Sequence, residues 1–359
     1  MYLKDISTLF GLCPFGIIFV EAPTSLSWGY VNMTEAPDRN LGLELVRATE
    51  SAAMAAARWM GKGNKNESDR AAVNAMRYML NTVDMDGVIV IGEGEKDKAP
   101  MLYNGEVLGK RVPPEVDIAV DPIDGTRLLS LGRPGAISVV GVSERGSIFN
   151  PGHVFYFNKI AVGPRARGVI DITAPVAINI RNVAKALDKD IDDVTVVVLD
   201  RPRHQKLVEK IRHVGARIRL ITDGDVSGAL MTAKDDSGID MLMGIGGAPE
   251  AIIAACALKC VGGDIQCAPW VENEEEMRKA EEIGLKPDSV LTIDDMVKGD
   301  NVFFAATGIT DGELLSGVKY DGNTIRTYSI VMRSKSGTVR YINSIHRADK
   351  LMRISEIPY

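Results

Sequence analysis

The sequence predicts an α+β lobe followed by an α/β lobe, and three observations predict it. In the first half, two amphipathic helices precede short β-branched runs that end in acidic, glycine-containing turns. Beyond about residue 190, strands alternate with helices in the manner of a parallel sheet. The 35 glycines supply tight turns, and no low-complexity or Pro/Ser-rich tract interrupts the chain.

Each element has its own signal. From Leu41 to about Met60 apolar residues recur at helical spacing (Leu41, Leu45, Ala48, Ala52, Ala55, Trp59), and Gly61 and Gly63 stop that helix. Asn66-Glu-Ser-Asp69 reads as the cap of a second helix, which places Asp69 in its first turn and Val73, Met76 and Leu80 on its inner face. The buried strand Gly87–Gly92 ends in Glu93-Gly-Glu95, and Val116–Val120 ends in Asp121-Pro122. Gly135–Val142 and the segment around Val169–Ile172 complete the strand-rich region. Val194–Leu199, a helix near His204–Val214 and Ala216–Ile221 then form a strand–helix–strand unit. Met241–Ile245 leads through Gly246-Gly247 into a helix from Pro249, and Ser329–Met332 with Thr338–Ile342 make a hairpin around Ser336-Gly337.

The expected division is 33–190 and 191–359. Residues 1–32 are expected to be an appendage or an over-long start outside the fold. Leu9–Val20 contains Pro14 and two glycines, with only Lys4 in front, neutralised by Asp5, so it makes a poor signal peptide. Met33 opens a polar segment just before the first helix.

Composition narrows the function classes. The chain has 359 residues, 45% hydrophobic and 25% charged, and a chain this long buries about three quarters of its unfolded surface without staples. Forty-two basic against 48 acidic residues give a net charge of −6, which argues against a polyanion binder with a basic face. No stretch approaches the ~18 apolar residues of a membrane span. The four cysteines (13, 256, 260 and 267) complete no zinc set and read as small buried thiols in a reducing cytoplasm. The histidines at 153, 204, 213 and 346 offer no ligand spacing; His204 alone falls near the candidate substrate residues.

Acidic residues cluster where buried strands end. Glu93 and Glu95 follow one strand, Asp121 and Asp124 another, and Asp69 begins a helix. Packed carboxylates repel and take up protons unless a cation removes the penalty. All-carboxylate ligation selects Mg²⁺ or Mn²⁺ over zinc. Taken singly, each acid also suits a cap or a turn. Together, Asp121-Pro-Ile-Asp-Gly-Thr126 places two carboxylates and a hydroxyl at one strand-to-helix turn, which Gly125 tightens. Free backbone N–H groups beyond it suit a phosphate oxygen. Metal plus phosphate at one turn is what phosphomonoester hydrolysis requires, with Thr126 placed to orient a water or hold the phosphate.

A second set of residues suits the far end of a ligand with two anionic groups. Arg201-Pro-Arg-His204 follows Val194–Leu199 at its carboxyl end, where open parallel sheets bind ligands. Asp223-Gly-Asp225 ends the next strand, where short acids could accept sugar hydroxyls. Gly244-Ile-Gly-Gly does not complete a dinucleotide loop. Two decoys are set aside: Asp188, Asp190, Asp192 and Asp193 lack calcium-loop spacing, and Glu272–Glu282 is a solvated helical face.

These motifs resemble the lithium-sensitive phosphatase superfamily, and within it the class II fructose-1,6-bisphosphatases of bacteria. The matching stretches include Glu50-Ser-Ala-Ala, Gly61-Lys-Gly-Asn-Lys-Asn with Asp69, Ile89-Val-Ile-Gly-Glu-Gly-Glu, Ala99-Pro-Met-Leu-Tyr, Val116-Asp-Ile-Ala-Val-Asp-Pro, Arg201-Pro-Arg-His, Asp223-Gly-Asp, Gly244-Ile-Gly-Gly-Ala-Pro-Glu250 and Ala306-Thr-Gly-Ile-Thr310. The resemblance spans about residues 41 to 348. It implies a layered α-β-α-β-α sandwich of the sugar phosphatase type, with the site between a metal-binding lobe and a substrate-binding lobe. It implies metal ligation by Asp69, Glu93, Asp121, Asp124 and Glu250. Substrate contacts are implied from Asp124, Gly125, Thr126, Tyr156, Arg201, Pro202, Arg203, Asp223, Gly224, Asp225 and Gly247.

One position departs from the branch, which usually carries glutamate where Asp124 stands. The wider superfamily uses aspartate there, so ligation is expected with a small metal shift. The expected reaction is metal-dependent hydrolysis of the 1-phosphate of fructose 1,6-bisphosphate. Alternatives are sedoheptulose 1,7-bisphosphate as substrate, alone or in addition, and a non-catalytic phosphosugar-binding regulator. The expected partners are a small sugar bisphosphate and further copies of the chain as a homo-oligomer, with no nucleic acid and no membrane, in the cytoplasm.

Overall fold

Two helices open the described part of the computed structural model, which covers residues 40–93, 102–152, 154–286, 288–355, 357 and 359. The expectations for residues 1–32, Cys13, Met33, Glu95, His153 and residues 99–101 lie outside it. Helix α1 (Gly42–Ala57) follows the expected spacing and buries Leu45, Ala48 and Ala52. Helix α2 (Lys65–Leu80) starts earlier than expected, because the Asn64 side chain accepts the Glu67 N–H at 3.2 Å and takes the cap. Gly63, at φ +70°, turns the chain just before it. Asp69 therefore stands in the second turn, not the first.

Strand β1 (Asp86–Ile91) pairs antiparallel with β2 (Val107–Leu108) and parallel with β3 (Glu115–Asp124). The sequence suggests that β3 ends at Pro122, but it runs on to Asp124. Its ladder to β4 (Ile137–Glu144) shifts register between Asp121 and Asp124, and Pro122, without an N–H, sits at that irregularity. Gly125, at φ +94°, then starts the short helix α3 (Thr126–Ser130).

Strand β5 (Tyr156–Val162) carries no clean sequence signal, since Asn158 and Lys159 interrupt its apolar run. The strand expected around Val169–Ile172 is absent. There the N–H groups of Gly168, Asp171 and Ile172 donate to the side chains of Asp264, Asn179 and Gln266 at 2.8–3.0 Å, which leaves no ladder to form. Helix α4 (Val176–Leu187) leads to β6 (Thr195–Leu199), α5 (Gln205–Val214) and β7 (Arg217–Ile221), and β6 and β7 are parallel as expected. Next come α6 (Asp225–Met231), β8 (Met241–Gly247), α7 (Ala248–Val261), β9 (Asp264–Pro269), α8 (Glu274–Glu282) and α9 (Ile293–Met296). The chain continues as β10 (Phe303–Gly308), β11 (Lys319–Asp321), the expected hairpin of β12 (Thr324–Arg333) and β13 (Thr338–Arg347), and α10 (Ala348–Ile354).

The strands form two sheets. The first runs β11-β12-β10-β4-β3-β1-β2 with β13 on the far side of β12, and the second runs β7-β6-β8-β5-β9. Sheet membership does not follow a division at residue 190. β5 joins the second sheet, and β10–β13 return to the first, where β10 pairs with both β4 and β12.

Buried clusters give the layering. One unites α1 and α2 with Val116, Ile118, Val120, Val140 and Val142 of the first sheet. A second joins Ala119, Ile137 and Val139 on that sheet's other face to α6, α7, and Phe157, Ala161 and Val197 of the second sheet. A third joins Val196 and Val198 to α4 and α5. Alternate residues of one strand thus face opposite layers, which gives the α-β-α-β-α order. Helix α7 lies in the middle layer and is apolar around most of its circumference, as a helix between two sheets must be. Gly141 allows the approach: a Cβ there would lie 3.0 Å from Cys256 Cβ. Cys256, Cys260 and Cys267 are buried free thiols. Among the described residues no helix is long and apolar enough to cross a membrane.

Candidate active site

The carboxyl ends of β1, β3, β6, β7 and β8, the start of β5 and the N-terminus of α7 meet around a cavity of about 340 Å³. Of the expected metal ligands, Glu93, Asp121, Asp124 and Glu250 line it. So do Gly125, Thr126, Tyr156, Arg201, Arg203, Asp223, Gly224, Asp225 and Gly247. Asp69 stands directly behind the wall and accepts a hydrogen bond from Thr126 Oγ1 at 3.2 Å. Pro202 is not among the lining residues; it opens the single 3₁₀ turn that carries Arg203. Residues scattered over almost 200 positions are thus brought to one place by strand ends in two sheets.

The acids are in an environment that resists charge. Burial, reinforced by Asp69 and Glu250, pushes the Glu93 carboxyl up to about 7. Burial raises Asp121 well above the carboxylate range, with Glu93, Asp124 and Glu250 adding repulsion. Burial followed by Asp225 and Glu250 does the same to Asp124. Glu250 and Asp69 are raised in the same direction, again mainly by burial. Asp124 Oδ2 is a buried oxygen with no hydrogen-bond partner among the described residues. Gly247 leaves space that Glu250 fills, since a Cβ there would lie 1.8 Å from Glu250 Oε2. Such an all-oxygen set, self-repelling and holding an orphaned acceptor, fits a hard divalent cation.

Among the described residues, the three carboxylates whose oxygens approach within 4.8 Å of one another are Asp190, Asp192 and Asp193. They are exposed, and Asp193 is paired with Arg217, in keeping with a solvated connector. No three acids of the cavity approach so closely.

Two arginines and an aromatic ring also line the cavity. Arg201 Nη2 donates to Asp223 Oδ1 at 2.6 Å. Arg203 donates to the Ile245 carbonyl at 2.9 Å and stacks over the Tyr156 ring, 5.1 Å from its centroid. Tyr156 in turn meets Trp270 edge to face, with centroids 5.8 Å apart.

His204 lies close by but has another task. Its Nε2 accepts the Ile245 N–H at 2.7 Å, which leaves Nδ1 to donate to the Leu199 carbonyl at 2.6 Å. Burial holds its pKa below the ordinary value. The neutral ring therefore ties β6 to β8.

Sequence reasoning missed three residues. Arg127 and Gly246 line the cavity, and Lys159 lies behind its wall, 2.5 Å from Asp225 Oδ2. A lone lysine in the apolar run Tyr156–Val162 was the available signal for the last.

Known proteins now bear on this arrangement. The family model described as bacterial fructose-1,6-bisphosphatase, glpX-encoded, matches residues 39–346. The chain belongs to that family. It is 44% identical over 325 residues to fructose-1,6-bisphosphatase 1 class 2 of Escherichia coli strain K12, covering 87% of this chain and 96% of that protein. The class 2 enzymes of Escherichia coli O6:H1 and Shigella flexneri match with the same identity and coverage. Among solved structures, the extragenic suppressor protein suhB of Bartonella henselae overlaps with a TM-score of 0.32 at 15% identity, over 55% of this chain and 74% of that one. That overlap is too slight to carry an argument.

Proposed function

We propose that this protein hydrolyses the 1-phosphate of fructose 1,6-bisphosphate, giving fructose 6-phosphate and phosphate, with Mg²⁺ or Mn²⁺ as cofactor. The observation that carries the reading is the cavity that joins four charge-resisting carboxylates, with Asp69 behind its wall, to Arg201 and Arg203. Asp69, Glu93, Asp121, Asp124 and Glu250 would hold the cations. When bound, these ions activate a water and neutralise charge on the phosphoryl oxygens and leaving alkoxide.

The chain's own groups do the rest. Thr126 Oγ1, tied to Asp69 and to the Ile123 carbonyl, both at 3.2 Å, orients the water or the phosphate at the turn made by Gly125. Arg201 and Arg203 take the distant phosphate, with Pro202 stiffening their loop and Tyr156 supporting Arg203. Asp223, Gly224, Asp225 and Gly247 surround the sugar hydroxyls. Transfer is in line to water with no covalent enzyme intermediate. The same reading makes the protein a cytoplasmic homo-oligomer serving gluconeogenesis or a pentose cycle.

Phosphate release from fructose 1,6-bisphosphate and sedoheptulose 1,7-bisphosphate, measured in parallel with Mg²⁺, Mn²⁺ or chelator, tests the proposal. Metal-dependent release from the fructose substrate is expected, and Asp121→Asn or Glu93→Gln should abolish it while the fold persists. Release from the sedoheptulose substrate alone would overturn the substrate assignment. Tight sugar binding with no release from either would make the protein a regulator.

A further inference from the structure

Two carboxylates flank Gly224 at the end of β7, and each is held by a cation from a different strand. Arg201, beyond β6, binds Asp223. Lys159, in the middle of β5, donates from Nζ to Asp225 Oδ2 at 2.5 Å and to the Gly247 carbonyl at 3.2 Å. Lys159 is only 4% exposed. It does not line the cavity, whereas Asp225 and Gly247 both do. Asp225 Oδ1 accepts no hydrogen bond from the described residues.

Burying such a pair is expensive, and an apolar side chain of similar length would pack there at least as favourably. The pair is therefore weak evidence for stability and leaves room for a role at the cavity that its partners line. The adjoining backbone is shaped around the pair: a Cβ at Gly246 would lie 2.1 Å from Asp225 Oδ2 and 2.7 Å from Lys159 Nζ. Only glycine at 246 lets the lysine bridge α6 to the turn that starts α7.

We infer that Lys159 is a positioning residue for sugar recognition: by holding Asp225 Oδ2 and the Gly247 carbonyl it presents Asp225 Oδ1 to the cavity and sets the gap that a sugar hydroxyl enters. The inference rests on the phosphatase reading, because it assigns Asp225 and Gly247 to the sugar. It separates recognition of the sugar from recognition of the phosphate, since the hydrogen bonds of Lys159 go to Asp225 and Gly247 and none goes to the Asp121–Thr126 turn or to the Arg201–Arg203 loop.

The test is calorimetric titration of the full chain, loaded with Mg²⁺, with fructose 6-phosphate and with inorganic phosphate. Lys159→Met should weaken fructose 6-phosphate binding about tenfold or more, the usual scale for a charged hydrogen bond, and leave inorganic phosphate within about twofold. Adding Asp225→Asn to Lys159→Met should cost clearly less than Asp225→Asn costs alone, because the lysine acts through that carboxylate. If Lys159→Met does not fold, Lys159→Gln, which keeps donors for both oxygens, should show a smaller loss with the same selectivity. Equal losses for both ligands, no loss for either, or additive losses in the double variant would overturn the inference. Failure of the wild-type protein to bind fructose 6-phosphate and to release phosphate from fructose 1,6-bisphosphate would instead overturn the phosphatase reading beneath it.

Discussion

Removing divalent cations should make this protein less stable as pH rises, the reverse of ordinary acid denaturation. The Glu93 carboxyl is raised from 4.5 to about 7, first by burial and then by Asp69 and Glu250. A carboxyl whose folded pKa exceeds its unfolded value stabilises the fold fully below the unfolded value, near 4.5, and loses that contribution as pH climbs through about 7. At about 1.4 kcal/mol per unit, Glu93 alone removes about 3 kcal/mol across that window. Asp121, Asp124 and Glu250 shift in the same direction and add to the loss. Chemical denaturation at pH 5, 6, 7 and 8 in chelator and in saturating Mg²⁺ measures it, and the difference between the two series cancels groups remote from the site. The stabilisation conferred by metal should grow by at least about 3 kcal/mol from pH 5 to pH 8, a rise in Tm of about 4–5 °C for a folded unit of this size. A metal-dependent difference that stays flat or shrinks with pH would refute the argument that the buried acids repel one another until a cation joins them.

Two further outcomes follow from particular contacts. Gly247→Ala places a methyl where Glu250 Oε2 now lies; the protein should fold, yet bind Mn²⁺ at least about tenfold more weakly, as followed by electron paramagnetic resonance. His204→Ala leaves the Ile245 N–H and the Leu199 carbonyl without their ring partner and should cost about 3 kcal/mol in denaturant unfolding. Because burial lowers the His204 pKa, its stabilising effect is present above about pH 6.5 and fades as pH falls through its folded pKa. A comparison of wild type and variant at pH 5 and pH 7 should therefore show a smaller gap at pH 5.

Much of the site was legible along the chain, because its chemistry is local at each strand end. Asp121-Pro-Ile-Asp-Gly-Thr126 announces itself: proline interrupts a ladder, glycine takes a left-handed turn, and two acids fall at one strand end. Helices α1, α2 and α5 show their faces in their periodicity, α7 shows itself as an apolar run, and β6 and β7 stand out as a strand–helix–strand unit. Other features depend on side chains, near and far in sequence, that compete for the backbone. The cap of α2 moved to Asn64 because one side chain reached the Glu67 N–H ahead of its rivals. The segment at 169–172 had the composition of a strand but lost its donors to Asp264, Asn179 and Gln266.

Sheet membership and the support of the sugar site lay beyond local reading altogether. Val139 pairs with Ala306, and Lys159 reaches Asp225 across 66 positions. Period and propensity report which residues are buried and which backbone torsions they favour. They carry no record of which distant strand supplies the hydrogen bonds, nor of which buried charge meets its counter-ion. The acids, the arginines and their turns were therefore written in the chain, whereas the five-layer packing decided that they share one cavity and that a lysine stands behind it.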